Sequence, residues 1–155
     1  YIHNEVGYNY RMTNVQAALG VAQMEELPEF IHRKHKNYDL YKSLFNGVEH
    51  VKLLKFRNGT YSNQWFYSLE LDMDYLKCSM RDVILKLHEQ GIQTRAIWGL
   101  IHEQNPYKDS VTYDIKKALY YSDCILNIPC STQITEEEIM AVVDAIKKLL
   151  AGESK

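Results

Sequence analysis

Apolar positions in the first third of the chain recur at helical spacing. Val15, Ala18, Leu19 and Ala22 form one stripe, and Phe30, Ile31, Tyr38, Tyr41, Leu44 and Phe45 form a second. Thr13-Asn14-Val15-Gln16 is a capping box, with Thr13 at the N-cap and Gln16 reaching back to it. Pro28 either opens a second helix in its first turn or kinks one long helix. Asn46-Gly47 is the stop. Few sequence-local partners exist for this long helical segment, so it is expected to pack on something outside the chain. The cluster Arg33-Lys34-His35-Lys36 reads as a solvated face.

The period then changes to two. His50 to Phe56 predicts a short strand, and Asn58-Gly59 predicts a turn. From Gln64 to Asp72 the residues alternate, which assigns Trp65, Tyr67, Leu69 and Leu71 to one face and Phe66, Ser68 and Glu70 to the other. Ser79 with Asp82 caps a helix carrying Met80, Val83, Ile84 and Leu87, and Gly91 ends it. Ile92–Ile97 predicts a strand, Tyr107–Tyr121 a polar connection leading into a helix, and Cys124–Ile128 a strand closed by Pro129. Thr135 and Glu138 make another capping box, with acidic residues at the positive helix end. Ile139, Val142, Val143, Ile146 and Leu149 form the last apolar stripe, and residues 151–155 are expected to fray.

The order is a helical segment followed by strand–strand–helix–strand–helix–strand–helix. That predicts an α+β fold with one small sheet covered by helices. A chain of 155 residues is long enough to bury about 68–70% of its unfolded surface. Charged residues are 25% and the net charge is −2, which gives no support to a nucleic-acid or anionic-membrane partner. No apolar run approaches the ~20 residues of a membrane span. Cys78, Cys124 and Cys130 are odd in number and fit neither a zinc site nor a disulfide framework, which points to reduced thiols in the cytoplasm. Asn58-Gly59-Thr60 reads as a turn rather than a glycosylation site. The chain opens on Tyr and not Met, from which we expect a piece of a longer polypeptide.

Two stretches carry candidate chemistry. Gly7-Tyr8-Asn9-Tyr10-Arg11 lies directly before a helix start, where an amide can donate to a phosphate and a guanidinium can fork onto a phosphate or carboxylate. An ordinary capped loop is the plainer alternative. In the second stretch a predicted strand ends in Arg95, and a loop then carries Trp98, His102, Gln104 and Pro106-Tyr107. Arg95 and His102 suit a diphosphate or sugar hydroxyls and Trp98 suits a ring, set against simple packing and solvation. His32 and His35 have ligand spacing but no third ligand near in sequence, so no metal site is expected. Walker, dinucleotide-glycine and serine-elbow motifs are missing.

Residues 7–20, Gly-Tyr-Asn-Tyr-Arg-Met-Thr-Asn-Val-Gln-Ala-Ala-Leu-Gly, resemble the DegT/DnrJ/EryC1/StrS family of sugar aminotransferases. The resemblance continues through Gln93–Tyr107, Ile128-Pro129-Cys130-Ser131 and the helix start at Thr135. Gln93-Thr94-Arg95 with Trp98 is most similar to the branch that makes 4-amino sugars for legionaminic-type nonulosonic acids. The family resemblance implies a fold type I enzyme using pyridoxal 5'-phosphate, glutamate as amino donor, a nucleotide-linked keto-sugar as acceptor, and a homodimer with shared sites. It further implies that the Schiff-base lysine lies upstream, so the chain alone is expected to be inactive. Residues 1–48 would be the end of the cofactor domain with connecting helices, and 49–155 the small C-terminal domain. By the same resemblance Asn9 would reach the cofactor phosphate, Tyr10 and Arg11 would lie near the nucleotide-sugar pocket, and Arg95, Trp98 and His102 would line the substrate side. Ala96 and Gly99 depart from the pattern, since many relatives carry prolines there. The competing expectations are a non-enzymatic binding module and a sugar dehydratase of the same family.

Overall fold

A computed structural model describes residues 2–152. Thr13 and Gln16 form the expected reciprocal cap, and α1 runs from Asn14 to Leu44. The helix continues through Pro28, so a second helix does not start there. Phe45 is its C-cap, and Gly47 takes the positive φ of 77° that lets the chain turn away. Thr13 lies outside the core and residues 14–29 are exposed throughout, whereas Tyr38, Tyr41 and Phe45 sit in the core.

Four strands follow: β1 (Val51–Leu53), β2 (Tyr67–Leu71), β3 (Arg95–Ala96) and β4 (Ile125–Ile128). They pair antiparallel throughout in the order β1-β2-β4-β3. The helices are α2 (Met73–Leu76), α3 (Met80–Glu89), α4 (Lys116–Cys124) and α5 (Glu136–Leu150), with short 3-10 turns at Ile101–Glu103 and Asn105–Tyr107. The expected α+β layer is present. On β2, Tyr67, Leu69 and Leu71 are buried at 0, 0 and 2% exposure and alternate with half-buried Ser68 and Glu70, the two-residue period read from the sequence. The inner residues meet Val83 and Leu87 of α3, Ile139, Val143 and Ile146 of α5, and the second half of α1 in one core.

Several boundaries differ from expectation. Trp65 does not join the inner face: β2 begins at Tyr67, and Trp65 is 65% exposed because Gln64 takes a left-handed φ of 53° and breaks the alternation. Cys124 ends α4 instead of opening β4. The strand expected at Ile92–Ile97 is two residues long. One-turn α2, which the sequence pattern did not predict, has its own cap, the Asp72 carboxylate accepting from the Tyr75 N–H. The turn at Asn58-Gly59 is real, with Gly59 at φ 81°. Of the fraying expected at 151–155, residues 153–155 lie outside the described residues.

The basic cluster on α1 is not simply a solvated face. Lys34 is half-buried, donates to the Trp65 carbonyl at 3.0 Å and to the Cys130 carbonyl, and lies 5.4 Å from the Tyr67 ring centre. His35 Nε2 donates to the Ser62 carbonyl at 2.8 Å, and its ring stacks on Tyr61. Lys36 pairs with Glu136 at 2.8 Å and Arg33 with Glu29 at 2.7 Å. The α1 peptide is tied to the sheet from the other side too: Tyr67 Oη donates to the Lys34 carbonyl at 2.8 Å, and Tyr41 Oη to the Pro129 carbonyl at 3.1 Å.

Candidate functional site

The helices of the core cover one face of the sheet, and the site is built on the other. Register places Ser68, Asn127 and Arg95 side by side across β2, β4 and β3. Ser68 Oγ donates to Asn127 Oδ1 at 2.7 Å, which fixes that row. One step along β2, Glu70 is held by Tyr120 Oη at 2.8 Å and by Lys52 at 3.6 Å. This lower end of the face is closed by mutual pairing: His50 Nδ1 donates to Asp72 at 2.9 Å, and the His50 ring stacks on Tyr75 at 3.5 Å. The Asp72 carboxyl is held below the usual carboxylate range, first by that bond from His50 and then by the Tyr75 N–H.

At the upper end aromatic rings gather. Trp98 meets Phe66 edge-on at 5.2 Å between centroids and lies 6.1 Å from Trp65, which packs on Phe66 at 4.5 Å. Trp98 itself is 43% exposed. The loop behind it is braced by Gln104, buried, whose Nε2 donates to the Gly99 carbonyl at 3.1 Å. His102 lies in the first 3-10 turn with its Nε2 4.0 Å from the Glu103 carboxylate. In the second turn, Asn105 Nδ2 donates to Asn4 Oδ1 at 2.8 Å. That bond brings the loop before α1 to the turn region that follows Trp98, joining two stretches about a hundred residues apart.

Arg95 and Trp98 therefore belong to one sheet face, with His102 on the turn that leaves it. Asn9, Tyr10 and Arg11 stand exposed on the N-terminal loop. Residues 6–16 contain no carboxylate, so this loop offers an amide and a guanidinium to an anion without a competing charge. The donor set fits the phosphate end of a cofactor such as pyridoxal phosphate. Lys34 does not fit the role of a cofactor-bound amine, because its ammonium is spent on two backbone carbonyls. Trp65 and Phe66, which join Trp98 in this aromatic cluster, were not singled out in the sequence. The alternation that put Trp65 on the inner face hid it, and only the adjacency of two large aromatics ahead of a strand hinted otherwise.

Other candidates resolve into packing. His35 is engaged by Ser62, and among the described residues no cluster of three or more metal-ligating side chains occurs. Cys124 is buried, and burial raises its thiol pKa, which makes it a poor nucleophile. No described helix is long and apolar enough to cross a membrane.

The model of the DegT/DnrJ/EryC1/StrS aminotransferase family matches residues 1–147. A GDP-perosamine synthase of Caulobacter vibrioides is 33% identical over 151 residues, 94% of this chain and 39% of that protein. A GDP-4-keto-6-deoxy-D-mannose 3-dehydratase of Yersinia pseudotuberculosis is 29% identical over 91 residues, 59% of this chain and 22% of that protein. Among solved structures, Helicobacter pylori PseC, an aminotransferase involved in the biosynthesis of pseudoaminic acid, superposes with a TM-score of 0.82 at 19% identity, over 96% of this chain and 40% of that one. The chain thus spans about two fifths of the perosamine synthase and of PseC.

Proposed function

The chain belongs to the DegT/DnrJ/EryC1/StrS aminotransferase family, and from that we propose that it is the C-terminal part of a cytoplasmic enzyme that moves an amino group from glutamate to a keto group on a nucleotide-linked sugar. Residues 1–48 carry the end of the cofactor domain and the connecting helix, and residues 49–155 the small domain onto which the second half of that helix folds. The observation that carries the reading is the placement of Arg95 and Trp98 on one open sheet face, tied by Asn105 and Asn4 to the loop holding Asn9, Tyr10 and Arg11.

Bound pyridoxal phosphate supplies the electron sink that amino transfer requires. This chain's own residues do the holding. Asn9 donates its amide to the cofactor phosphate. Arg11 and Arg95 neutralise the diphosphate of the substrate, and Tyr10, Trp98 and His102 shape the space for its sugar and rings. The site is shared between two copies in a homodimer, and the bare first half of α1 is covered in that assembly. The lysine that would hold the cofactor covalently belongs to the upstream domain, so the chain alone does not transaminate.

Kinetics of the longer enzyme test this division of labour. Asn9→Ala weakens cofactor affinity with little change in sugar-nucleotide KM. Arg95→Ala raises that KM and leaves cofactor affinity near its starting value. Equal effects of both changes on both quantities refute the assignment. The 3-dehydratase among the relatives favours one alternative, a dehydrating enzyme on the same scaffold; release of water without consumption of glutamate distinguishes it.

A further inference from the structure

Trp65 is presented outward by a peptide that is held firmly. Its N–H donates to Asn63 Oδ1 at 3.1 Å, and its carbonyl accepts from Lys34 Nζ at 3.0 Å and from Cys130 Sγ at 3.3 Å. The preceding Gln64 is buried in a left-handed conformation that only glycine adopts without strain, and its Oε1 has no hydrogen-bond partner. Gln64 N–H is in turn fixed by Ser62 Oγ at 3.0 Å. This much restraint serves a side chain that is 65% exposed. An indole left in water but fixed in direction is what a stacking residue requires, because little motion is lost when a ring settles on it.

Beside Trp65 is a cavity of about 420 Å³, with Lys55, Phe56, Ser62, Asn63, Phe66 and Ser68 on its walls. That size falls within the range of small-molecule sites. Its lining includes a cation and an amide, and no carboxylate. Arg95 lies on the same sheet face two strands away, and Phe66 passes the aromatic surface on to Trp98. Rings bordered by two cations match a planar heterocycle attached to an anionic linker better than an aliphatic protein surface.

We propose that Trp65 and Phe66, together with Trp98, form the stacking seat for the nucleobase of the nucleotide-linked substrate, with Lys55 and Arg95 on the side of its diphosphate. This rests on the aminotransferase reading for the identity of the ligand. Aromatic stacking is tolerant of base identity, so the seat takes uracil and guanine alike. Trp65 and Phe66 thereby become substrate-binding residues, and Lys34 a positioning residue that acts through the Trp65 carbonyl.

The test uses the chain's own fluorescence. The sequence holds two tryptophans, and both are in this cluster, so tryptophan emission reports on the seat. The chain is titrated with uridine diphosphate, guanosine diphosphate and inorganic pyrophosphate. Saturable quenching by both nucleotides is expected, with pyrophosphate at least about tenfold weaker, and Trp65→Leu weakens the nucleotides about tenfold, within the range of base–aromatic stacking. Quenching by pyrophosphate alone or at equal affinity overturns the proposal in favour of an anion site. Emission changes that follow protein concentration overturn it in favour of a protein interface. Lack of saturable quenching by either nucleotide, in the chain and in the longer enzyme, overturns it outright.

A second readout separates this proposal from the aminotransferase reading. In the longer enzyme, Trp65→Leu raises the KM for the nucleotide-linked sugar about tenfold, holds kcat, and leaves the KM for the matching sugar 1-phosphate unchanged. Unchanged KM in a variant that still transaminates removes the seat and leaves the enzyme reading standing. Saturable nucleotide quenching in a protein that transaminates no keto-sugar does the reverse.

Discussion

In the first half of α1, Val15, Leu19, Val21 and Met24 are 61–72% exposed, whereas in the second half Tyr38 and Tyr41 are 7 and 0% exposed. Both halves carry apolar residues at helical spacing, and both belong to one hydrogen-bonded helix. They differ in what they face. Residues from Tyr38 to Phe45 have β2, α5 and the loop after β4 to pack on, with Tyr41 anchored to the Pro129 carbonyl. Residues 14–29 have only their capping box and the continuity of the helix. The comparison teaches that periodicity reports a face to be buried but not the partner that buries it. An exposed apolar face of this kind is the mark of an interaction surface. Under the function proposed above, it is the surface that the homodimer would cover.

The comparison breaks most readily at Tyr41. Tyr41→Ala removes a fully buried ring from the packed half and leaves the Pro129 carbonyl without its donor. A loss of about 3–5 kcal/mol is expected in urea unfolding, and a loss under 1 kcal/mol would show that the second half of α1 is not the anchor. Lys34→Met comes next. It keeps most of the stem but removes the ammonium donor from the Cys130 carbonyl and leaves the Trp65 carbonyl with only the weaker Cys130 thiol. About 1–3 kcal/mol is expected, together with a shift in tryptophan emission as Trp65 loosens. A neutral result would restore the solvated-face reading of the basic cluster.

Helix caps sharpen the contrast at lower energies. Thr135→Ala, at the head of the packed helix α5, costs about 1 kcal/mol of global stability. Thr13→Ala removes an equivalent capping box from the bare half and loosens only local structure. Hydrogen exchange then speeds at residues 14–20 while the unfolding midpoint stays in place. Equal midpoint shifts in the two variants would mean that the bare half is part of the cooperative unit.

The smallest effect is acidic. Asp72 has a folded pKa below its ordinary value because His50 donates to it. Its contribution is therefore present above the unfolded pKa and lost as pH falls through the lower folded value. His50→Ala flattens the loss of stability as pH falls below about 4, the ordinary carboxylate pKa. An unchanged acid limb would rule out the pair as its source.

Much of the fold was legible because local signals carried it. The reciprocal caps at Thr13, Ser79 and Thr135 each mark a helix start, and Gly91 at φ 77° ends α3 where the sequence predicted. The stripe of α5 is buried at Ile139, Val142, Val143, Ile146 and Leu149. Tertiary pairing was not legible. Nothing near Lys34 in sequence announces that two carbonyls, one from the approach to β2 and one from the loop after β4, converge on its ammonium. The Trp65 misassignment has the same origin. Alternation is blind to a left-handed residue, and Gln64 gives no compositional warning of one. At the candidate site, the strand end and its loop pointed to Arg95 and Trp98 before the resemblance did, but the aromatic neighbours of Trp98 became visible only when β2 and the loop after β3 met.

The central claim, that this chain is part of a pyridoxal-phosphate sugar aminotransferase, is tested most directly by the absorbance spectrum of the longer enzyme. Pyridoxal phosphate is added first, then glutamate, then a nucleotide-linked keto-sugar. The account predicts a visible Schiff-base band that disappears with glutamate and returns with the keto-sugar. A protein that forms no such band, or whose band ignores both additions, contradicts it.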